Sequence, residues 1–191
     1  MDVFLTLQDY KKMPWKNGLG MTSELAVCHH DDHIKDSPFL WRISIAGVAE
    51  DGPFSIFPNI DRNIMLLEGE GISLDGGDAG HYELSELHKF ISFAGDIDVF
   101  GRLYGGDILD LNVMHDRRYF KTKVDVIEGG NLNLTGDVNF IHILEKAQAI
   151  DANINGNDKV FKSGDSYIGN GKQVIDFKGK SIIVLAQFFK L

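Results

Sequence analysis

Cysteine, proline and basic residues are all scarce in this chain, and each scarcity narrows what it does. Its single cysteine, Cys28, excludes an internal disulfide and fits a reducing compartment. With four prolines, most of its turns rest on other residues. Lys and Arg number 19 against 28 Asp and Glu, and the net charge of −9 argues against nucleic acid or an anionic membrane surface as partner. No apolar run reaches the roughly 20 residues of a spanning helix. The first residues, Met1-Asp2-Val3-Phe4-Leu5, carry an acid where a secretory leader needs bases, so a cytoplasmic location is expected. There is no Gly-x-Ser-x-Gly nucleophile elbow, and pairs such as Gly105-Gly106 lack the spacing of a phosphate loop. Helical stretches are nearly missing as well: the candidates, Gln8–Lys12 and Leu84–Lys89, are each about one turn long.

What remains is a strand-rich globular composition. Hydrophobic residues make up 43% and charged residues 25% of 191 positions, enough for a packed core in one large domain or two small ones. Thirteen phenylalanines and many short Ile and Val runs favour strands, and 21 glycines supply turns. Fourteen apolar or period-2 runs, at about 2–9, 24–29, 39–48, 60–67, 71–74, 89–93, 97–104, 108–114, 119–127, 138–147, 158–162, 166–168, 173–177 and 180–189, alternate with turn signals such as Asp75-Gly76-Gly77, Gly129-Gly130 and Asn155-Gly156-Asn157. The pattern predicts an all-β sandwich or barrel. An internal echo links Ile64-Met65-Leu66-Leu67-Glu68 to Ile141-His142-Ile143-Leu144-Glu145, and Phe93-Ala94-Gly95-Asp96 to Phe161-Lys162-Ser163-Gly164-Asp165. Two similar small β-barrels divided near 115–137 would explain it.

Two of the strands carry specific chemistry on one face. Across 41–46, Trp41, Ile43 and Ile45 share a face while Arg42 and Ser44 share the other; across 109–114, Leu109, Leu111 and Val113 oppose Asp110, Asn112 and Met114. A solvated face usually carries interchangeable Lys, Glu and Thr, so Arg with Ser and Asp with Asn suggest the lining of a pocket. There Arg42 could grip a carboxylate, Arg62 could add a second cation, and Ser44, Asp110 and Asn112 could orient the rest of a ligand. The expected geometry has Arg42 and Asp110 facing each other across an enclosed cavity. The plainer alternative pairs them with each other, which would merely fix strand register. Lys16 and Asn17, with Thr22 and Glu24 on one strand face, could border the mouth; the alternative is a Gly-rich turn with solvated edges. Cys28-His29-His30-Asp31-Asp32-His33 crowds metal-ligand types together, but adjacent side chains in an extended loop do not converge on one ion, so it reads as a loop.

In order and with this spacing, four segments resemble the HutD/Ves family. They are Trp15-Lys16-Asn17-Gly18-x-Gly20-x-Thr22-x-Glu24-Leu25, Trp41-Arg42-Ile43-Ser44-x-Ala46-x-Val48, Asp51-Gly52-Pro53-Phe54-Ser55-x-Phe57-Pro58-x-x-Asp61-Arg62, and Asp110-x-Asn112-x-Met114. The resemblance implies a bacterial, cytoplasmic protein with the RmlC-like jelly roll of the cupins. Two cupin domains would pack together as a bicupin: 1–118 as the first barrel, with the motifs, and 119–191 as a second, smaller one, strand exchange between them being left open. It also implies a link to histidine utilisation and a regulatory role that binds a small anionic metabolite such as formylglutamate. Leu19, Ser23 and Leu111 depart from the family pattern, where a glycine, a basic residue and an aromatic are usual, which leaves the ligand open. Metal-binding cupins use a His-x-His pair with a Glu and a later His; this chain has no such pair, and His81, His88, His115 and His142 are scattered. No metal, cofactor or catalytic residue is therefore expected. Two other readings stand beside ligand binding: a metal-independent isomerase or hydrolase with Asp110 or Glu24 as base, and a purely structural protein, in either case compatible with a homodimer.

Overall fold

The computed structural model describes residues 2–15, 20–30, 37–144, 149–179 and 181–191. Among these residues the regular structure is all β apart from one 3-10 turn at Gly77–Ala79. In chain order come β1 (Val3–Leu5), β2 (Lys11–Pro14), β3 (Gly20–Cys28), β4 (Trp41–Val48), β5 (Gly52–Pro53) and β6 (Ile60–Glu68). Then follow β7 (Ile72–Asp75), β8 (His81–Leu84), β9 (Phe90–Ala94), β10 (Phe100–Leu103) and β11 (Ile108–Asp116). The remainder supplies β12 (Phe120–Glu128), β13 (Asn131–Leu134), β14 (Val138–Ile143), β15 (Ile150–Ile154), β16 (Asn157–Phe161), β17 (Ser166–Asn170), β18 (Gln173–Lys178) and β19 (Ile182–Lys190). Among the described residues no helix is long and apolar enough to cross a membrane.

The chain divides into two compact units, one of Lys11–Tyr119 and one of Met1–Tyr10 with Phe120–Leu191. Rather than closing into a barrel, each unit is a pair of open sheets. The first has a six-stranded sheet, β2-β3-β4-β11-β6-β9, and a four-stranded one, β5-β10-β7-β8. The second has β1-β17-β14-β19-β12 and β13-β18-β15-β16. Stripped of β1, β2 and β3, both units show the same order: β4-β11-β6-β9 matches β12-β19-β14-β17, and β5-β10-β7-β8 matches β13-β18-β15-β16. The first half of the sequence echo is therefore positional, since Ile64 on β6 and Ile141 on β14 sit on equivalent strands. The second half is not: Gly95-Asp96 follows β9, whereas Gly164-Asp165 precedes β17.

The first residues belong to the C-terminal unit. β1 pairs antiparallel with β17, from Val3↔Ile168 to Leu5↔Ser166. Tyr10 then donates its hydroxyl to the Gly164 carbonyl at 2.5 Å and lies 2.8 Å from Ser166 Oγ. Neither helix candidate is a helix. At Gln8–Lys12 the Asp9 carboxylate accepts the Thr6 N–H and hydroxyl, which fixes a turn, and β2 begins at Lys11. At Leu84–Lys89 the chain leaves β8 and turns through His88, whose φ of 62° is incompatible with a right-handed helix.

Packing between the two sheets of Lys11–Tyr119 follows the period-2 pattern. Val48, Ile64, Leu66 and Ile108 from the larger sheet meet Ile72, Leu74, Leu84 and Val99. A smaller cluster of Phe39, Ile60 and Met114, with Val27 and Phe57, fills another part of the unit. The site is built from side chains on the same sheet face as these.

Candidate functional site

The register of the six-stranded sheet decides which polar groups meet. On β11, Asp110 and Asn112 lie opposite Ala46 and Ser44 of β4 on one side and Leu66 and Ile64 of β6 on the other. Met114 lies between Arg42 and Arg62. On β3, Thr22 and Glu24 lie opposite Ala46 and Ser44, and a bulge follows Glu24. Seven of the nine sequence-predicted residues, Thr22, Glu24, Arg42, Ser44, Arg62, Asp110 and Asn112, thus come to one sheet face. Lys16 and Asn17 lie outside the described residues, as does Leu19.

The pairing differs from the expected one. Arg42 does not bridge to Asp110; its Nε donates to Glu24 Oε2 at 2.8 Å, with both side chains about 15% exposed. β3 flanks β4, so the Glu24 carboxylate comes within reach of Arg42. Asp110 belongs instead to a relay: Arg62 Nη2 donates to Asn112 Oδ1 at 2.7 Å, and Asn112 Nδ2 donates to Asp110 Oδ1. Ser44 is buried on this face.

Arg62 is the central group. Only 6% of it is exposed, and its guanidinium carbon lies 5.2, 5.6 and 5.3 Å from the ring centres of Phe54, Phe57 and Phe93. The ring faces attract the cation, but a guanidinium has five N–H donors to satisfy. Among the described residues its hydrogen bond is the one to Asn112, and its enclosed Nε meets no acceptor. Burial pulls its pKa down to about 10, Asp110 opposing that shift and nearby Arg42 adding to it. Burial likewise pushes the Asp110 carboxyl up to about 7, against the pull of Arg62 and Asn112. The result is a charge-balanced but under-bonded polar cluster walled by aromatic rings.

The sequence reading missed the walls. Trp15 packs against the apolar core of the unit and donates its indole N–H to Thr22 Oγ1 at 2.8 Å. Gly20 is required there, because a Cβ would fall 2.3 Å from the Gly47 carbonyl oxygen and 2.9 Å from the Trp15 ring. Gly101 plays the same part for Phe54, whose ring lies 2.7 Å from where a Cβ would stand. A signal was present: Arg62 alternates with Ile60, Ile64 and Leu66, an apolar face on which a lone arginine is out of place.

The remaining histidines and acids serve elsewhere. His30 Nε2 lies 3.3 Å from Asp116 Oδ2, and Asp116 is held by Arg118; Asp31, Asp32 and His33 lie outside the described residues. Among the described residues no three His, Cys, Asp or Glu side chains are placed to hold a metal ion. His142 Nδ1 lies 2.9 Å from Ser166 Oγ, and burial lowers its pKa to about 4.

In the second unit the positions equivalent to Asp110 and Asn112 are apolar, while those of Arg42 and Ser44 are Lys123 and Asp125, an ion pair at 3.0 Å. Reading across the matching ladders, Asp110 corresponds to Ile183, Asn112 to Leu185 and Arg62 to Asn139. Ile183 and Leu185 join Ile141, Ile143, Phe161, Ile175 and Phe177 in one core. Asn139 is taken up by its own turn, bonding Gly136 and the Gly171 carbonyl.

Comparison with known proteins adds the lineage. The HutD family model matches residues 7–185. Protein Ves of Citrobacter koseri is 41% identical over 124 residues, 63% of this chain and 62% of that protein. A Pseudomonas putida protein described as an uncharacterized 21.2 kDa protein in the hutC 3′ region is 34% identical over 125 residues, 65% of this chain and 64% of that one. Each match thus spans under two thirds of the relative's length. HutD from Pseudomonas fluorescens SBW25, solved in a formate condition, superposes with a TM-score of 0.81 at 25% identity over 100% of both chains. The all-β fold is cupin-like; at the level of fold alone, protein Ylba of E. coli shares it with a TM-score of 0.69 at 11% identity, over 98% of this chain and 90% of that one.

Proposed function

The chain belongs to the HutD family, and from that premise we propose that it is a regulatory, cytoplasmic bicupin whose Lys11–Tyr119 unit binds a small carboxylate metabolite at Arg62. The observation that carries this reading is the buried guanidinium with an unmet Nε inside an aromatic box. A protein that needed only a core would place apolar residues there, since they stabilise a fold as well as or better than a buried ion pair. A carboxylate would supply the missing acceptors in bidentate geometry. Asn112 and Ser44 would orient the rest of the ligand, and Arg42, held by Glu24, would add positive potential. Names of the relatives, HutD and a protein of the hutC region, support histidine utilisation as the setting and a formylglutamate-like compound as ligand.

A second reading, a metal-independent isomerase or hydrolase, is favoured by Asp110, whose carboxyl near 7 is poised for proton transfer. Glu24 suits that role less, being engaged by Arg42. Thermal shift with formylglutamate, formate, urocanate and glutamate tests the binding reading. A ligand at about 100 times its Kd adds roughly 2.7 kcal/mol of stability, and Arg62→Met should remove that gain. An Arg62→Met protein that folds and responds as strongly as wild type would overturn the proposal. Product formation lost in Asp110→Asn would favour the enzyme instead.

A further inference from the structure

We infer that the Arg62 cluster takes up one proton, on the carboxyl of Asp110, each time it binds a carboxylate. The inference rests on the binding reading above and adds its proton balance. At the centre of the face four charged side chains form two neutral pairs: Arg42 with Glu24 by direct contact, and Arg62 with Asp110 through the Asn112 amide; Lys11 of β2, opposite Glu24, is exposed. Among the described residues, no other group facing the pair offsets a further charge. Asp116, at the far end of β11, is bound by Arg118. The unit's apolar core carries Ile72, Leu74 and Leu84 from the four-stranded sheet, and the one hydroxyl it includes, that of Tyr82, donates to the Ala79 carbonyl. Phe54, Phe57 and Phe93 complete the surround of Arg62.

A carboxylate docking on Arg62 displaces Asp110 as its counter-ion. With Asp110 still ionised, the enclosed group would hold one unbalanced negative charge among aromatic and aliphatic walls, which is costly. Protonation of Asp110 restores neutrality around the one carboxylate that Arg62 holds. The proton comes from the buffer, the one bond formed is the O–H on the Asp110 carboxyl, and the ligand enters unchanged as its anion. Asn112 need not move, because a carboxyl oxygen still accepts from its Nδ2, while the new O–H becomes a donor for the bound anion. Burial already holds Asp110 near neutrality, so the step lies within the ordinary pH range.

Titration calorimetry of the full chain with formylglutamate and with formate, each in two buffers of different ionisation enthalpy, reads the proton directly. Both probes stay ionised from about pH 6 to about pH 8.5, so any proton taken up belongs to the protein. Near pH 8 the uptake should approach one proton per ligand, and affinity should fall about tenfold per pH unit above roughly 7.5. Asp110→Asn should bind with no uptake and a flat pH profile; should that variant fail to fold, the buffer comparison on wild type still gives the answer. Wild-type binding with equal Kd at both ends of the range and no buffer dependence would overturn the coupling and leave the binding reading standing. Failure of both probes to bind at any pH would overturn both.

Discussion

Replacing Asp110 by Asn should make the ligand-free protein lose less stability as pH rises. In the folded chain the Asp110 carboxyl sits near 7, raised by burial in spite of Arg62; unfolded, it returns to about 3.9. A raised acid keeps its proton longer in the folded state, so its contribution is fully present below the unfolded value. It is then lost as pH rises through the folded one. Integrated from about pH 5 to about pH 8, the loss is about 2.5 kcal/mol, most of it below pH 7. The Asn variant keeps the shape and an amide oxygen for Asn112 but cannot titrate. The stability of wild type minus that of Asp110→Asn should therefore fall by about that amount across the range. Both tryptophans, Trp15 and Trp41, lie in the Lys11–Tyr119 unit, so urea unfolding followed by tryptophan fluorescence reports on the unit that holds the carboxyl. Two curves that stay parallel within about 0.5 kcal/mol would refute the reasoning, because a solvated Asp110 would titrate alike in both states.

Three further outcomes test other parts of the structure. Gly101→Ala should push the Phe54 ring off Arg62, since the new methyl would lie 2.7 Å from that ring and 2.8 Å from Ile72; weaker formylglutamate binding by calorimetry checks it, and unchanged affinity would rule it out. Glu24→Gln removes a negative charge beside the cationic cluster and should tighten carboxylate binding by about threefold to tenfold. Weaker binding would count against that electrostatic picture. Tyr10→Phe loses the bonds to Gly164 and Ser166 and should cost about 1–2 kcal/mol in a circular-dichroism melt while leaving affinity unchanged.

Much of the fold was legible because period-2 alternation is local. The runs near 60–67, 108–114, 138–147 and 180–189 became β6, β11, β14 and β19. Strands β13 and β15 are hard to read from sequence because Asn131, Asn133 and Asn153 resemble turn punctuation, although their neighbours Leu132, Leu134, Ile150, Ala152 and Ile154 alternate correctly. The faces of 41–46 and 109–114 were legible for the same reason. Which charge meets which was not, since that depends on strand order and register, both set by distant parts of the chain. The order β3-β4-β11-β6 gives Arg42 to Glu24 and leaves Asp110 to Arg62, a pairing that no spacing along the sequence specifies. The division of the first ten residues from the next hundred was equally hidden, because β1 finds its partner more than 160 residues away.

The repeated strand order has a consequence of its own. One interior is filled with oil-like side chains; the other keeps the Arg62 cation and the Asp110 carboxyl out of water on the same backbone wiring. The chain thus carries its own control. Differences in hydrogen exchange or compressibility between the two interiors measure what enclosing those ions demands of a β-sandwich, under identical solution conditions and in a single molecule.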